Sequence, residues 1–289
     1  MYYLSIKYSR DGFGTQLFNI IYGYFISKIL NINYYFIPLE RVGHNYENNK
    51  NYESDLNKFI NYEKLLTITK IDKKISIYNL QELINYNFTL TNENILFIIE
   101  KRCLNIKMFV KDLNRKIIKP LTNIFFINKS NPFNDNIIHI CIHIRSGDIL
   151  FNIKKHKIRF IPIEQYKILI SCIHNIFKDK KYKIHLFFEE KTNLGYNDKE
   201  IYRINKEIFN IYDLKDKNIV LEINNNLTDD FLKFIYADYF FMANSSFSNS
   251  AALLRKKNTY YVFNNINKFF WDKNEFVNII DKPEDLNIS

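Results

Sequence analysis

The sequence predicts an α/β protein with parallel sheets. From residue 135 onward, apolar and β-branched runs alternate with longer segments of helical periodicity. Strands that alternate with helices need crossover connections, which favour a parallel sheet covered on both faces. Ligands of such sheets gather at the carboxyl ends of the strands. The five expected strands are 137–144, 183–189, 218–223, 239–243 and 259–263.

Helices are expected between these strands. Pro162 suits a first helical turn because proline has no N–H to lose there. Thr228 is a candidate N-cap, since a side-chain oxygen can accept a bond from the open helix end. The expected helices are 162–178, 198–212, 228–237 and 248–257.

The first half opens in the same way. Residues 2–8 are expected to form a strand, "DGFGT" a turn and 16–31 a helix, followed by a strand over 34–39. A strand, a glycine turn and a helix can present backbone N–H groups to an anion. Gly12 and Gly14 would allow a ligand to approach that backbone closely. The polar segment 127–136 is the expected linker between two domains, 1–130 and 131–289.

Composition limits the class of protein. The 289 residues are 47% apolar, enough for a substantial core, and the net charge of +10 favours anionic partners. Most lysines are scattered singly, which is typical of a solvated surface. The three cysteines lack the spacing of a metal site or a disulfide scaffold. With neither a basic leader nor a long apolar stretch, we expect a cytoplasmic protein without stable membrane insertion.

The stretch "HIRSGDIL" at 143–150 carries the first candidate site. Alternation along a strand puts His139, His143 and Arg145 on one side, but the two histidines would be about 13 Å apart, too far to share a metal. We therefore expect no metal. Gly147 would turn the chain so that Arg145 and Asp148 lie at the sheet edge, where Arg145 could bind phosphate oxygens. Alternatively, the two would form an ion pair that holds the loop.

A second candidate is the small polar turn between the strand 239–243 and the next helix. Ser245 and Ser246 lie in this turn, so their hydroxyls and the free N–H groups of the helix could hold an anion. A simple helix cap is the alternative. Together with Arg145 on another strand end, the turn indicates a phosphate site.

Several motifs resemble, in order, those of the bacterial and viral α-1,2-fucosyltransferases, glycosyltransferase family 11. "GFGTQLFNIIYGYFIS" is similar to GxGNQLFQYAFG, and "HIRSGDIL" to HxRRGDY. "IHLFFEE" resembles a strand ending in S-D-D, and "ANSSFSNSAALL" resembles NSSFSWWAAWL. The matches span nearly the whole chain. The resemblance implies the GT-B fold, with two Rossmann-like domains facing a cleft.

The resemblance also implies roles for the two domains and for individual residues. Domain 1–130 would lie on the acceptor side, and 131–289 would bind a GDP-sugar. Arg145 would bind phosphate with His143 beside it, and Asp230 would match an acidic residue that recognises guanine. The implied phosphate-binding turn comprises Ser245, Ser246 and Phe247.

The implied reaction is an inverting, metal-independent transfer of fucose from GDP-fucose to a hydroxyl of a glycan, without a cofactor. Asp11 and Asp148 are the candidate bases by position. Thr15 and Ser146 depart from the family motifs, as do Asn249 and Ser250, which stand where two Trp are usual. These departures keep open another GDP-sugar as donor, or a non-catalytic nucleotide-sugar-binding homologue. A basic nucleic-acid-binding protein is the weakest alternative because the aromatics follow core patterns, so no nucleic-acid partner is expected.

Overall fold

The computed structural model describes residues 1–7, 11–43, 49–65, 70–100, 114–145, 161–188, 216–223, 225–257, 259–262 and 276–288. The chain divides into two compact units, Met1–Lys129 (unit 1) and Ser130–Ser289 (unit 2). Each unit has a parallel sheet with helices. The predicted α/β class is therefore confirmed. In the described part of the chain, no helix is both long and apolar enough to span a bilayer.

Unit 1 has a four-stranded sheet in the order β2-β1-β4-β3, with every described pairing parallel. Its strands are β1 Tyr2–Ile6, β2 Asn33–Tyr34, β3 Lys73–Ile77 and β4 Ile95–Ile99. Its described helices are α1 Phe13–Ile29, α2 Tyr52–Phe59, α3 Tyr62–Leu65, α4 Leu80–Ile84 and α5 Arg115–Phe125.

The helix α1 forms the centre of unit 1. It begins three residues earlier than predicted, directly after Gly12, and most of its residues are buried. Gly23 is needed where α1 crosses the sheet: an added Cβ would lie 2.7 Å from Ile6 Cδ1 and 2.7 Å from Tyr34 Cε2. The absence of a side chain therefore sets how closely α1 packs on β1 and β2.

Unit 2 has a six-stranded parallel sheet among its described residues, in the order β10-β9-β8-β5-β6-β7. The five predicted strands are confirmed, and β10 was not predicted. The strands are β5 Ile138–His143, β6 Tyr182–Phe188, β7 Ile219–Ile223, β8 Tyr239–Phe241, β9 Thr259–Val262 and β10 Val277–Ile280. The described helices are α6 Ile163–Phe177, α7 Leu227–Tyr236, α8 Ser246–Leu254 and a 3-10 helix, Pro283–Asp285.

Thr228 is not the N-cap of α7: that residue is Asn226, whose Oδ1 accepts from the Thr228 backbone N–H at 2.9 Å. The prediction was wrong because an asparagine two positions earlier satisfies the same open end. Pro162 was expected in the first turn of α6 but is its N-cap, and the helix begins one residue later, at Ile163. The expected helix at 198–212 lies outside the described residues.

The two faces of the unit 2 sheet differ in chemistry, as the alternation in β5 predicts. One face is apolar: Ile140, Ile142 and Ile144 pack with the buried side of α6. The opposite face carries His139, Cys141 and His143 and packs against α7 and α8. For example, the His143 ring lies 5.3 Å from that of Phe234. The candidate site therefore lies on the polar face.

A buried arginine secures the end of α7 on this face. Arg255 is 1% exposed, and its Nη2 donates to the carbonyl of Ala237 at 3.1 Å, while Nη1 donates to the carbonyl of Phe234. A cation at this position also opposes the negative end of the helix dipole. Arg255 is therefore a structural residue of unit 2.

Candidate anion-binding site

The site lies where the strand order of unit 2 reverses. From β5 the chain builds outward through β6 and β7, then returns to place β8 on the other side of β5. In parallel α/β sheets the crevice at such a reversal is the usual ligand site, at the carboxyl ends of the strands. Here those ends are His143–Arg145 after β5 and Asn244–Ser246 after β8.

The turn after β8 forms the start of α8. Ser245 has extended backbone angles, and its Oγ accepts from the Ser248 backbone N–H at 3.1 Å, which makes it the N-cap. The first backbone N–H groups of any helix have no partner within the helix. The α8 N-terminus, with Ser246 and Phe247 in its first turn, is thus directed to the switch point.

His143 joins β5 to this turn. Its Nδ1 lies 2.6 Å from Ser248 Oγ, and Ser248 Oγ also accepts from the Ala243 N–H at 3.3 Å. Burial lowers the pKa of His143 to about 3, and the charge of Arg145 acts in the same direction. The imidazole is therefore neutral at neutral pH. A single hydrogen, from either the Ser248 hydroxyl or Nδ1, forms the bond between these two atoms.

Arg145 is half-buried and lies two residues beyond His143, at the same end of β5. Its positive charge acts on the His143 ring. The structure thus brings the carboxyl end of β5, which carries Arg145, beside the strand that leads into the Ser245 turn. Asp148, the predicted partner of Arg145, lies outside the described residues, as does Gly147.

Asp230 lies in the first turn of α7, which starts after the carboxyl end of β7. Its Oδ1 accepts from Asn225 Nδ2 at 3.1 Å. Burial raises the pKa of Asp230, whereas the hydrogen bond from Asn225 and the charge of Lys233 lower it. Burial has the larger effect, and the resulting pKa is about 7. A cavity of about 260 Å³ adjoins this turn and is lined by Pro132, Asn225, Asn226, Asp229, Leu232 and Lys233.

An aromatic contact joins the Asp230 helix to the serine turn. The Phe231 ring lies 5.2 Å from the Phe247 ring, and Phe234 lies 5.6 Å from Phe247. The second and third turns of α7 therefore pack against the first turn of α8. Of the residues singled out in the second half, His143, Arg145, Asp230 and the Ser245–Phe247 turn all belong to this region of unit 2.

Asp11, Gly12 and Gly14 lie in unit 1, at the start of α1. Asp11 Oδ1 accepts from the Gly12 N–H at 2.8 Å, and the Asp11 carbonyl accepts from the Gly43 N–H at 3.0 Å. Gln16 Nε2 also donates to this carbonyl at 3.0 Å. The Asp11 carboxylate thus stabilises the glycine turn that opens α1.

Two polar residues of the site were not predicted from the sequence. Ser248, which is fully buried, connects His143 to the Ser245 cap, and Asn225 binds Asp230. The sequence held no signal for the Ser248 hydroxyl, because the Ser245 cap bonds to a backbone N–H that any residue provides at that position. Within the ranges that the structure describes, no group of three His, Cys, Asp or Glu side chains could hold a metal ion.

No protein-family model matches the sequence, and neither does any protein of curated function. Among solved structures, the chain is similar to the E. coli heptosyltransferase WaaC with ADP, at 10% identity, 99% coverage of this chain, 96% coverage of that chain and a TM-score of 0.42. The same enzyme with ADP-2-deoxy-2-fluoro heptose gives 11% identity, the same coverage and a TM-score of 0.39. At this identity and TM-score, neither likeness assigns an activity to the chain.

Proposed function

We propose that the chain is a glycosyltransferase whose unit 2 binds the diphosphate of a GDP-sugar. One observation carries this proposal. The end of β5, with Arg145, and the N-terminus of α8, capped by Ser245, are neighbours at the switch point of a parallel sheet. A guanidinium can bind phosphate oxygens through two parallel hydrogen bonds, and a helix N-terminus presents free N–H groups to an anion. The fold by itself does not select this function.

The finer assignment rests on the motif resemblance. The donor is GDP-fucose, and the acceptor is a sugar hydroxyl that receives fucose in α-1,2 linkage. Asp230, which the resemblance matches to the guanine-recognising acid, lies in the helix that packs against the serine turn. Base and diphosphate would thus contact the N-terminal ends of two helices, α7 and α8, that pack against one another.

The reaction is an inverting displacement. The acceptor oxygen forms a bond to the anomeric carbon as the bond from that carbon to the diphosphate oxygen breaks. Negative charge then develops on the leaving GDP, where Arg145 and the α8 N-terminus stabilise it. His143 is neutral, so it can orient the site through its bond to Ser248 but adds no charge. Asp11 and Asp148 are the candidate bases that take the acceptor proton.

Titration calorimetry with GDP-fucose, GDP-mannose and a UDP-sugar tests the proposal. We expect binding to the GDP-sugars and not to the UDP-sugar. Arg145→Ala should weaken binding by about tenfold to a hundredfold, the value of a hydrogen bond to a charged group, and turnover by about a hundredfold or more. Lys178→Ala is the matched control, because it removes one exposed cation at the opposite end of the sheet.

The outcomes separate the alternatives. Tighter binding of GDP-mannose would assign a different donor. GDP-fucose binding without transfer to any sugar acceptor would indicate a non-catalytic homologue. If Arg145→Ala binds and turns over like the unmodified chain, Arg145 has no part in the mechanism. Salt-dependent binding of oligonucleotides without any affinity for GDP-sugars would favour a nucleic-acid-binding protein.

A further inference from the structure

A row of four hydrogen-bonded side chains crosses the polar face of the unit 2 sheet, and the proposed reaction does not use it. Asp135 Oδ1 lies 2.6 Å from His139 Nε2, and His139 Nδ1 lies 2.9 Å from His185 Nε2. His185 Nδ1 in turn lies 2.9 Å from Glu222 Oε1. We call these four residues the histidine relay. It joins the segment before β5 to β5, β6 and β7.

The relay is buried except at one end. The side chains of His139, His185 and Glu222 are 7%, 9% and 10% exposed, whereas that of Asp135 is 55% exposed. The Phe133 ring covers His139 at a centroid distance of 3.9 Å. Solvent therefore reaches the relay most easily at Asp135.

The number of hydrogens in the relay can be counted. Its three hydrogen bonds need three hydrogens, and ionised carboxylates at both ends can only accept. Two neutral imidazoles carry one N–H each and supply only two. The third hydrogen is present if one of the two imidazoles is protonated on both nitrogens. The geometry is thus satisfied by a histidine pair with one positive charge.

Both carboxylates are held in the ionised form. The hydrogen bond with His139 lowers the pKa of Asp135. Burial by itself would raise the pKa of Glu222, but bonds from His185, Lys233 and Asn225 lower it to about 2. Lys233 Nζ lies 2.7 Å from Glu222 Oε2. With a protonated histidine pair, two carboxylates face two cations and the buried group is neutral overall, which limits the cost of burial.

We propose that His139 and His185 form a proton-binding site, in which one extra proton is held between Asp135 and Glu222 and exchanges with solvent through Asp135. Loss of this proton removes one of the three bonds. That bond is the one between Asp135 and His139, because exposed Asp135 can turn to water instead. The remaining bonds still direct His185 to Glu222.

Other ionisable groups face the relay from each neighbouring element. Cys141 of β5 donates its thiol to the Lys233 carbonyl at 3.7 Å, and Asp238, before β8, accepts from the His139 backbone N–H at 2.9 Å. Asp230 of α7 shares Asn225 with Glu222.

Asp135→Asn is the decisive variant. An asparagine amide can donate to His139 Nε2, so all three bonds form with two neutral imidazoles and the extra proton is no longer needed. Asp135 is exposed, so the variant should fold. Asp216→Asn is the matched control, because it removes a carboxylate 3.1 Å from His174 elsewhere in unit 2.

Nitrogen-15 NMR of the histidine rings near pH 6.5 measures the protonation directly, with neutral His143 as an internal reference. In the unmodified chain and in Asp216→Asn, we expect the extra proton on one ring of the pair, or in exchange between both rings. In Asp135→Asn, we expect it on neither ring. Two neutral rings in the unmodified chain would overturn the proposal. So would an extra proton that persists in Asp135→Asn.

Discussion

The affinity for GDP-fucose should increase as the pH rises from 6 to 8, because Asp230 titrates within this range. Burial raises the pKa of Asp230 to about 7, with smaller contributions in the same direction from Glu222 and Asp229. A carboxyl group accepts hydrogen bonds from the two N–H donors of a guanine edge only when it is ionised. The protonated form of Asp230 would therefore bind the base weakly.

The size of the effect follows from this pKa. A group with a pKa of about 7 is ionised in roughly a tenth of the molecules at pH 6 and in roughly nine tenths at pH 8. If only the ionised form binds, the affinity increases about tenfold between these two pH values, or about 1.4 kcal/mol. A site that binds its ligand through a titrating cation would show the opposite trend, because its affinity would fall as the cation loses its proton with rising pH.

Calorimetry at pH 6, 7 and 8 measures this change. GDP-fucose is the better ligand because GDP has a terminal phosphate whose own second pKa is about 6. Asp230→Asn should bind more weakly and lose the pH dependence. Asp229→Asn, one residue away, should keep it with a midpoint at lower pH, since a like charge is removed. The reasoning is refuted if the unmodified chain shows a constant affinity, or if Asp230→Asn shows the same tenfold change.

Three further predictions concern the metal requirement and the fold. Transfer should continue in EDTA, because Arg145 and a helix N-terminus take the role of a cation; loss of activity that manganese restores would count against this. Gly23→Ala should destabilise the chain by about 1–3 kcal/mol in urea unfolding, since the new Cβ would lie 2.7 Å from Ile6 and overpack the core; a change below about 0.5 kcal/mol would contradict the contact. Arg255→Met should cost about 3 kcal/mol, because it leaves buried carbonyls at the end of α7 without donors; a thermal melt with an unchanged midpoint would disprove that.

Local sequence patterns were sufficient to predict most of the strands and to predict which side chains of β5 share a face of the sheet. Alternation in "HICIH" correctly separated the isoleucines that pack on α6 from the histidines on the polar face. This works because a strand places successive side chains on opposite faces, whatever its neighbours are. Strand β10 was not predicted because its sequence, VNII, has neither period-two alternation nor an uninterrupted apolar run.

Contacts between residues that are distant in sequence could not be predicted from the sequence. His139 and His185 are 46 residues apart, and His143 and Ser248 are 105 residues apart. No periodicity relates such pairs, because the order of strands in a sheet depends on the packing of all its helices. Patterns along the chain therefore predicted which groups reach the polar face. Only the arrangement of β5, β6, β7 and β8 decided which of them meet.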